Sequence, residues 1–221
     1  MEQLNETKKP LISGLFVFDL FIFLSILVSQ NLFVKPDLDS TLKIQDKIPE
    51  LLTTPFSLFS IVGTAESASL ILLLIMFVFP LLRKISVLIF YVFIGIIEVI
   101  GKSIITQSGP PIYFLKTNLH LNFPTNNIPH EFFSYPSGHS ARTAFVSAVF
   151  IYAILRSKLK NEAKYVIVFL IIAFDVLMFL SRVYLGEHWI SDVIGGALLG
   201  FSLSLICVYL LRIRVSSLKF K

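Results

Sequence analysis

His188 and Asp192 stand four residues apart at the edge of an apolar run, a spacing that puts both on one helix face, where the carboxylate can hold one ring nitrogen of the imidazole. The other nitrogen is then free to act as a general base or a nucleophile. Arg182 lies just before the turn at Gly186, and its planar guanidinium can fork onto the oxygens of a phosphate. Pro136-Ser137-Gly138-His139 opens another apolar run as an approach, a tight turn and a helix start. Free backbone N–H groups at such a start make an anion site, and His139 would stand beside the anion, placed to protonate a leaving oxygen. Lys102 closes a third apolar run with Glu98 one turn below it. These two form either a plain i,i+4 ion pair or a lysine steered by Glu98 toward a phosphate above it. Cations, two imidazoles and an orienting carboxylate together supply what phosphoryl chemistry requires.

The elements that must position these residues are membrane spans. Of 221 residues, 55% are hydrophobic and 15% charged, against about a quarter charged in a soluble domain. Runs long enough to cross a hydrocarbon core of about 30 Å fall at 11–34, 57–82, 85–106, 139–156, 164–185 and 188–211. The expectation is an all-α, polytopic membrane protein, a six-helix bundle forming one domain over residues 1–221. The first run exceeds the apolar core of a signal peptide and no A-x-A site follows it, so it is expected to be retained. Cys207, the sole cysteine, falls in the last span, which leaves no intramolecular disulfide and suggests no thiol–histidine metal cluster.

Basic residues between the spans set orientation, because short cytoplasmic loops accumulate them. Lys8, Lys9, Arg83, Lys84, Arg156, Lys158, Lys160, Lys164, Arg212, Arg214, Lys219 and Lys221 fall on one side, twelve of the 19 Lys and Arg. Both termini are therefore expected in the cytoplasm. The other side holds Lys35, Lys43, Lys47 and Lys116, offset in the first outer loop by Asp37, Asp39, Asp46 and Glu50. The net charge of +5 is thus a topology signal, and no nucleic-acid partner is expected. This orientation brings the end of span three, the start of span four and the junction of spans five and six to one outward face.

Two outer loops remain. Residues 35–56 mix Leu38, Leu42, Ile48, Leu51 and Leu52 with charges, and read either as a surface helix broken at Pro49 or as an irregular solvated loop. Residues 107–138 carry Tyr113, Phe114, Phe123, Phe132, Phe133 and Tyr135, which shape a substrate entrance or anchor the chain at the interface. His120 and His130 in that loop are expected to be solvated rather than metal ligands. Asp19, Glu66 and Asp175 lie within spans and read as partners of buried cations or backbone groups; Asp175, two turns before Arg182, would help hold the wall of the site.

The ordered set resembles the membrane-bound phosphatidic acid phosphatase type 2 superfamily, whose signature is K-x6-R-P, then P-S-G-H, then S-R-x5-H-x3-D. The second and third elements match at every defined position between Pro136 and Asp192, whereas the first reads Lys102-x6-Gly109-Pro110 and lacks its arginine. The resemblance implies a six-helix fold and a metal-free reaction without cofactor. It implies His188 as the nucleophile forming a phosphohistidine, Asp192 as its partner and His139 as the general acid. Lys102, Arg182 and the Ser137–Gly138 backbone would cradle the phosphate.

A clamp missing at Gly109 would cost about a hundred- to a thousand-fold in rate. Arg142 is the expected replacement, three residues after His139 on the inward face of span four; alternatively it pairs with Glu98 or Asp175. The resulting expectation is a cell-membrane hydrolase acting on a lipid phosphate or diphosphate at the outer face, with an undecaprenyl-type polyprenyl diphosphate favoured over phosphatidylglycerol phosphate or phosphatidic acid. Two other readings compete: a phosphotransferase using the same phosphohistidine, and a transporter or lipid-binding protein using the buried charges as a path. Oligomeric state has no signature in the sequence.

Overall fold

The computed structural model describes residues 2–116 and 133–218. Eight α-helices are found among them: α1 (Glu2–Ser29), α2 (Val34–Lys47), α3 (Thr53–Ser60), α4 (Ala65–Val78), α5 (Ile85–Ile104), α6 (Gly138–Arg156), α7 (Asn161–Tyr184) and α8 (Ile190–Leu218). Five of these are long and apolar enough to cross a bilayer, in α1, α5, α6, α7 and α8. A sixth span exists only as a bent pair, the segments Glu50–Gly63 and Ala65–Val78 meeting at 60°. His120, His130, Phe123 and Phe132 lie outside the described residues.

Three boundaries differ from expectation. The first span ends at Ser29 instead of running to 34, because the chain reverses through Asn31 at φ 59° and starts α2 at Val34. Span two is not one straight helix over 57–82: a 3₁₀ turn at Ile61–Gly63 interrupts it, and Thr64, extended at ψ 159°, restarts it by accepting from the Ser67 N–H at 3.3 Å. Pro80, with no N–H to donate, then opens a separate 3₁₀ turn, Pro80–Leu82. His188 lies in the turn before α8, which begins at Ile190, so it does not share a helix face with Asp192.

The connection over 35–56 takes its helical form. α2 carries its polarity inside out: Asp37 and Thr41, one turn apart, are buried, while Val34, Leu38 and Leu42 are exposed. That pattern suits a helix lying on the bilayer surface with its polar face toward the protein. Gln45 ties it down by donating from Nε2 to the carbonyls of Phe114 (2.7 Å) and Tyr184 (2.9 Å). The helix ends at Lys47, ahead of Pro49.

α6 and α8 form the centre. Within the apolar windows, 67% of α6 is buried against 11–22% of α1, α5 and α7, whose apolar faces are left for lipid. The two central helices cross closely because glycine permits it. A Cβ on Gly196 would collide with the Ser137 carbonyl, and one on Gly200 with the Ala141 carbonyl, so small residues bring the backbones together. The start of α6 is thereby pinned to the first turns of α8, which is what the site requires.

Candidate active site

The turn between α7 and α8 presents His188. Gly186 takes φ +70° there and lies against the Phe114 carbonyl, so a side chain fits neither the backbone conformation nor the space. The N–H groups of Glu187 and His188 both bond back to the Arg182 carbonyl, at 3.1 and 3.3 Å, fixing the loop on the end of α7. Asp192, with no exposed surface, accepts from the Trp189 N–H at 2.9 Å and lies 3.3 Å from Nδ1 of His188, both through Oδ2. The carboxylate thus reaches back from the third position of α8 to cap the helix and hold the ring. This leaves Nε2 of His188 as the nitrogen the carboxylate does not hold.

Ser137 caps α6, its hydroxyl accepting from the Ser140 N–H at 3.4 Å, and its own N–H donates to the Asp192 carbonyl at 3.0 Å. One hydrogen bond therefore joins the P-S-G-H turn to the residue that holds His188. His139, second in α6, packs its ring edge against Gly63 at the break between α3 and α4. That break explains a bend the apolar pattern did not announce: it makes room for an imidazole.

The cations arrive from three helices. Arg182, 2% exposed, bonds Ser60 of α3 and pairs with Glu187. Lys102 Nζ and Arg142 Nη1 share the Glu98 carboxylate, at 2.8 and 2.7 Å. Of the two carboxylates open to Arg142 in the sequence, Glu98 is the one it pairs with; Asp175 instead accepts from Ser147 at 2.6 Å and does not brace Arg182. The Nε atoms of Arg142 and Arg182 are buried without a hydrogen-bond partner. Burial first, then the fields of Arg182 and Lys102, push the His188 imidazole well below its ordinary range; Glu98 opposes them, and Arg142 adds a smaller push downward. At neutral pH the ring is therefore unprotonated, the form in which a nitrogen can attack.

A second layer lies under Asp192. Asp37 of α2, 1% exposed, accepts from the Ser191 N–H (2.9 Å), the Ser191 hydroxyl (2.6 Å) and Gln107 Nε2 (3.0 Å). Burial raises its carboxyl above the usual range, and the Ser191 and Gln107 hydrogen bonds offset part of the rise. Gln107 belongs to the segment that carries Gly109, and the Trp189 indole donates to the neighbouring Ser108 carbonyl at 2.7 Å. The segment lacking the arginine thus runs beside the His188 turn, and Gly109 packs near Ser134.

The candidate site residues read from the sequence come together here: Lys102, Ser137, Gly138, His139, Arg142, Arg182, His188 and Asp192. Sequence reasoning missed Ser60, Gly63, Glu187, Gln107 and Asp37. Only Glu187, adjacent to His188, carried a signal that could have been read.

Comparison with known proteins follows the same residues. The model of the PAP2 superfamily matches residues 83–216. Phosphatidylglycerophosphatase B of Bacillus subtilis (strain 168) is 37% identical over 81 residues, which are 36% of this chain and 38% of that protein. The chain thus aligns with well under two thirds of that relative's length. The fold is similar to the crystal structure of a transmembrane PAP2-type phosphatidylglycerolphosphate phosphatase from Bacillus subtilis, with TM-score 0.66 and 21% identity over 92% of this chain and 96% of that one. It is also similar to Aquifex aeolicus LpxE, with TM-score 0.59 and 21% identity over 78% and 94% of the two chains.

Proposed function

Because the chain belongs to the PAP2 superfamily, we propose that it is an integral membrane lipid phosphatase that works through a phosphohistidine. The observation that carries this reading is the His188 ring: held at Nδ1 by Asp192, it stands within the fields of Lys102, Arg142 and Arg182. In the first step Nε2 of His188 attacks the terminal phosphorus, the bond from that phosphorus to the leaving oxygen (the ester oxygen of a monoester, the bridging oxygen of a diphosphate) breaks, and His139 delivers a proton to that oxygen. In the second, His139 takes a proton from water, the water oxygen attacks phosphorus, the P–N bond breaks, and inorganic phosphate leaves. The three cations and the N-terminus of α6 stabilise the charge that gathers on the phosphoryl oxygens. No step draws on a metal.

The lipid tail has a place to go. An apolar groove of about 590 Å³ lies between α6, α7 and α8, and Val183, Ile190 and Val193, neighbours of Arg182 and Asp192, line it. The loop charges favour cytoplasmic termini and an outward-facing headgroup site. Within the substrate class we rank a polyprenyl diphosphate first, and the phosphatidylglycerol phosphate named for the Bacillus relatives is the other substrate to try first.

The test is phosphate release by the purified protein from a panel of polyprenyl and glycerol lipid phosphates with chelator present. Hydrolysis that persists in chelator and vanishes in His188→Ala supports the reading. Activity abolished by chelator contradicts the metal-free mechanism, and a labelled acceptor formed without free phosphate makes the protein a transferase.

A further inference from the structure

All three cations assigned to the phosphate already hold an anion: Arg182 pairs with Glu187, and Lys102 and Arg142 share one carboxylate. Glu98 takes Lys102 Nζ on Oε1 at 2.8 Å and Arg142 Nη1 on Oε2 at 2.7 Å. The same carboxylate lies so close over Gly138 that a Cβ there would run into both of its oxygens. Gly138 is the first residue of α6, so Glu98 sits between two cations at the positive end of a helix, and its side chain is only 13% exposed. Lys102, Arg142 and the start of α6 are the groups that would receive a phosphate.

We infer that Glu98 is an internal stand-in for the substrate phosphate and thereby a specificity-determining residue: it keeps the seat against monoanionic phosphodiesters and yields it to phosphate monoesters and diphosphates. This deepens the function proposed above and rests on it.

The discrimination is one of charge. A phosphodiester carries one negative charge, the same as the carboxylate it would displace, so the exchange gains no Coulomb energy while the diester is stripped of water. A phosphate monoester carries about −1.5 to −2 at neutral pH, and a diphosphate more, so each gains attraction to both cations on entry. The distinction matters in a bilayer, where the bulk phospholipids are diesters. Gly138 is part of the device, since only a residue without Cβ leaves room for the carboxylate. Glu98 can leave by rotating its own side chain, and the orphaned Nε of Arg142 offers the incoming anion a further donor.

The experiment is calorimetric titration of detergent-purified wild type and Glu98→Gln with inorganic phosphate and with dimethyl phosphate, a monoanionic diester without tails. The amide keeps the shape and removes the charge. Glu98→Gln is expected to bind dimethyl phosphate at least tenfold more tightly than wild type and to bind inorganic phosphate more tightly as well. If Glu98 were merely a brace that aims the two cations, the variant would bind both anions more weakly, and either that or an unchanged diester affinity overturns the inference. Should Glu98→Gln fail to fold, a vanadate complex of the wild type decides: vanadate touching Lys102 and Arg142 with Glu98 turned away from Gly138 is expected, and Glu98 still seated on Gly138 with vanadate bound overturns the inference. A wild type that releases phosphate from no lipid overturns the proposed function, whereas an active wild type with either adverse result overturns only the role of Glu98.

Discussion

Replacing Asp192 by Asn isolates the electrostatic half of the His188–Asp192 pair. The substitution keeps an oxygen for the Trp189 N–H, now 2.9 Å from the carboxylate, so the first turn of α8 stays capped. What it removes is the negative charge 3.3 Å from Nδ1 of His188. In the proposed mechanism Nε2 bonds to phosphorus and the imidazole becomes cationic, and a full unit charge at that distance with an effective dielectric of 20 is worth about 5 kcal/mol. Only part of that charge has developed at the transition state, so a loss of about 10³-fold in kcat is expected, with KM changed less than threefold because the phosphate cradle is untouched. The assay is phosphate release at saturating lipid phosphate in detergent micelles, with thermal unfolding of the same sample to verify folding. A folded Asp192→Asn protein retaining kcat within tenfold of wild type would refute the claim that this carboxylate supports a cationic intermediate on His188.

Three further outcomes are expected. Because the His188 imidazole lies well below its ordinary range, the folded protein binds fewer protons than the unfolded chain under acid, so stability falls as pH drops below about 6.5. The neutral nucleophile survives to lower pH still, so the acid limb of kcat/KM should lie below that of an ordinary histidine; a limb at or above 6.5 contradicts it. Arg142→Ala should lower kcat/KM by about a hundred- to a thousand-fold, as befits the loss of a preorganised donor, with Arg142→Lys recovering part of it; unchanged kinetics in Arg142→Ala would show that the arginine serves Glu98 alone.

Much of the candidate site was legible in the sequence because the residue types proposed for phosphoryl chemistry are ones that a membrane excludes. His139, His188, Arg182 and Lys102 stand out where the surrounding residues are apolar, and their order along the chain survives folding. The helical spans were legible for the same reason, through length and hydropathy. Features that depend on contacts between helices were not. Gly63 and Thr64 look ordinary inside an apolar run, yet they bend the second span and open the space His139 uses. Asp37 sits in a charged loop, where a carboxylate reads as solvated, but α2 buries it against Ser191. The choice of Glu98 over Asp175 by Arg142 follows from which helices face one another, and no spacing within α6 encodes it. The last span was started at His188, two residues before α8 begins: the apolar run includes Trp189, while the hydrogen bonds to the Arg182 carbonyl hold His188 in the turn.

If phosphate passes through His188 as proposed, the covalent intermediate can be trapped. Wild-type protein mixed with lipid substrate labelled in the phosphate and quenched within the first turnover should carry label that is stable to base and labile to acid, located on the peptide containing His188. His188→Ala should carry none, and His139→Ala should form it slowly or accumulate it. Label absent from wild type during active turnover, or label that persists in His188→Ala, would contradict the account.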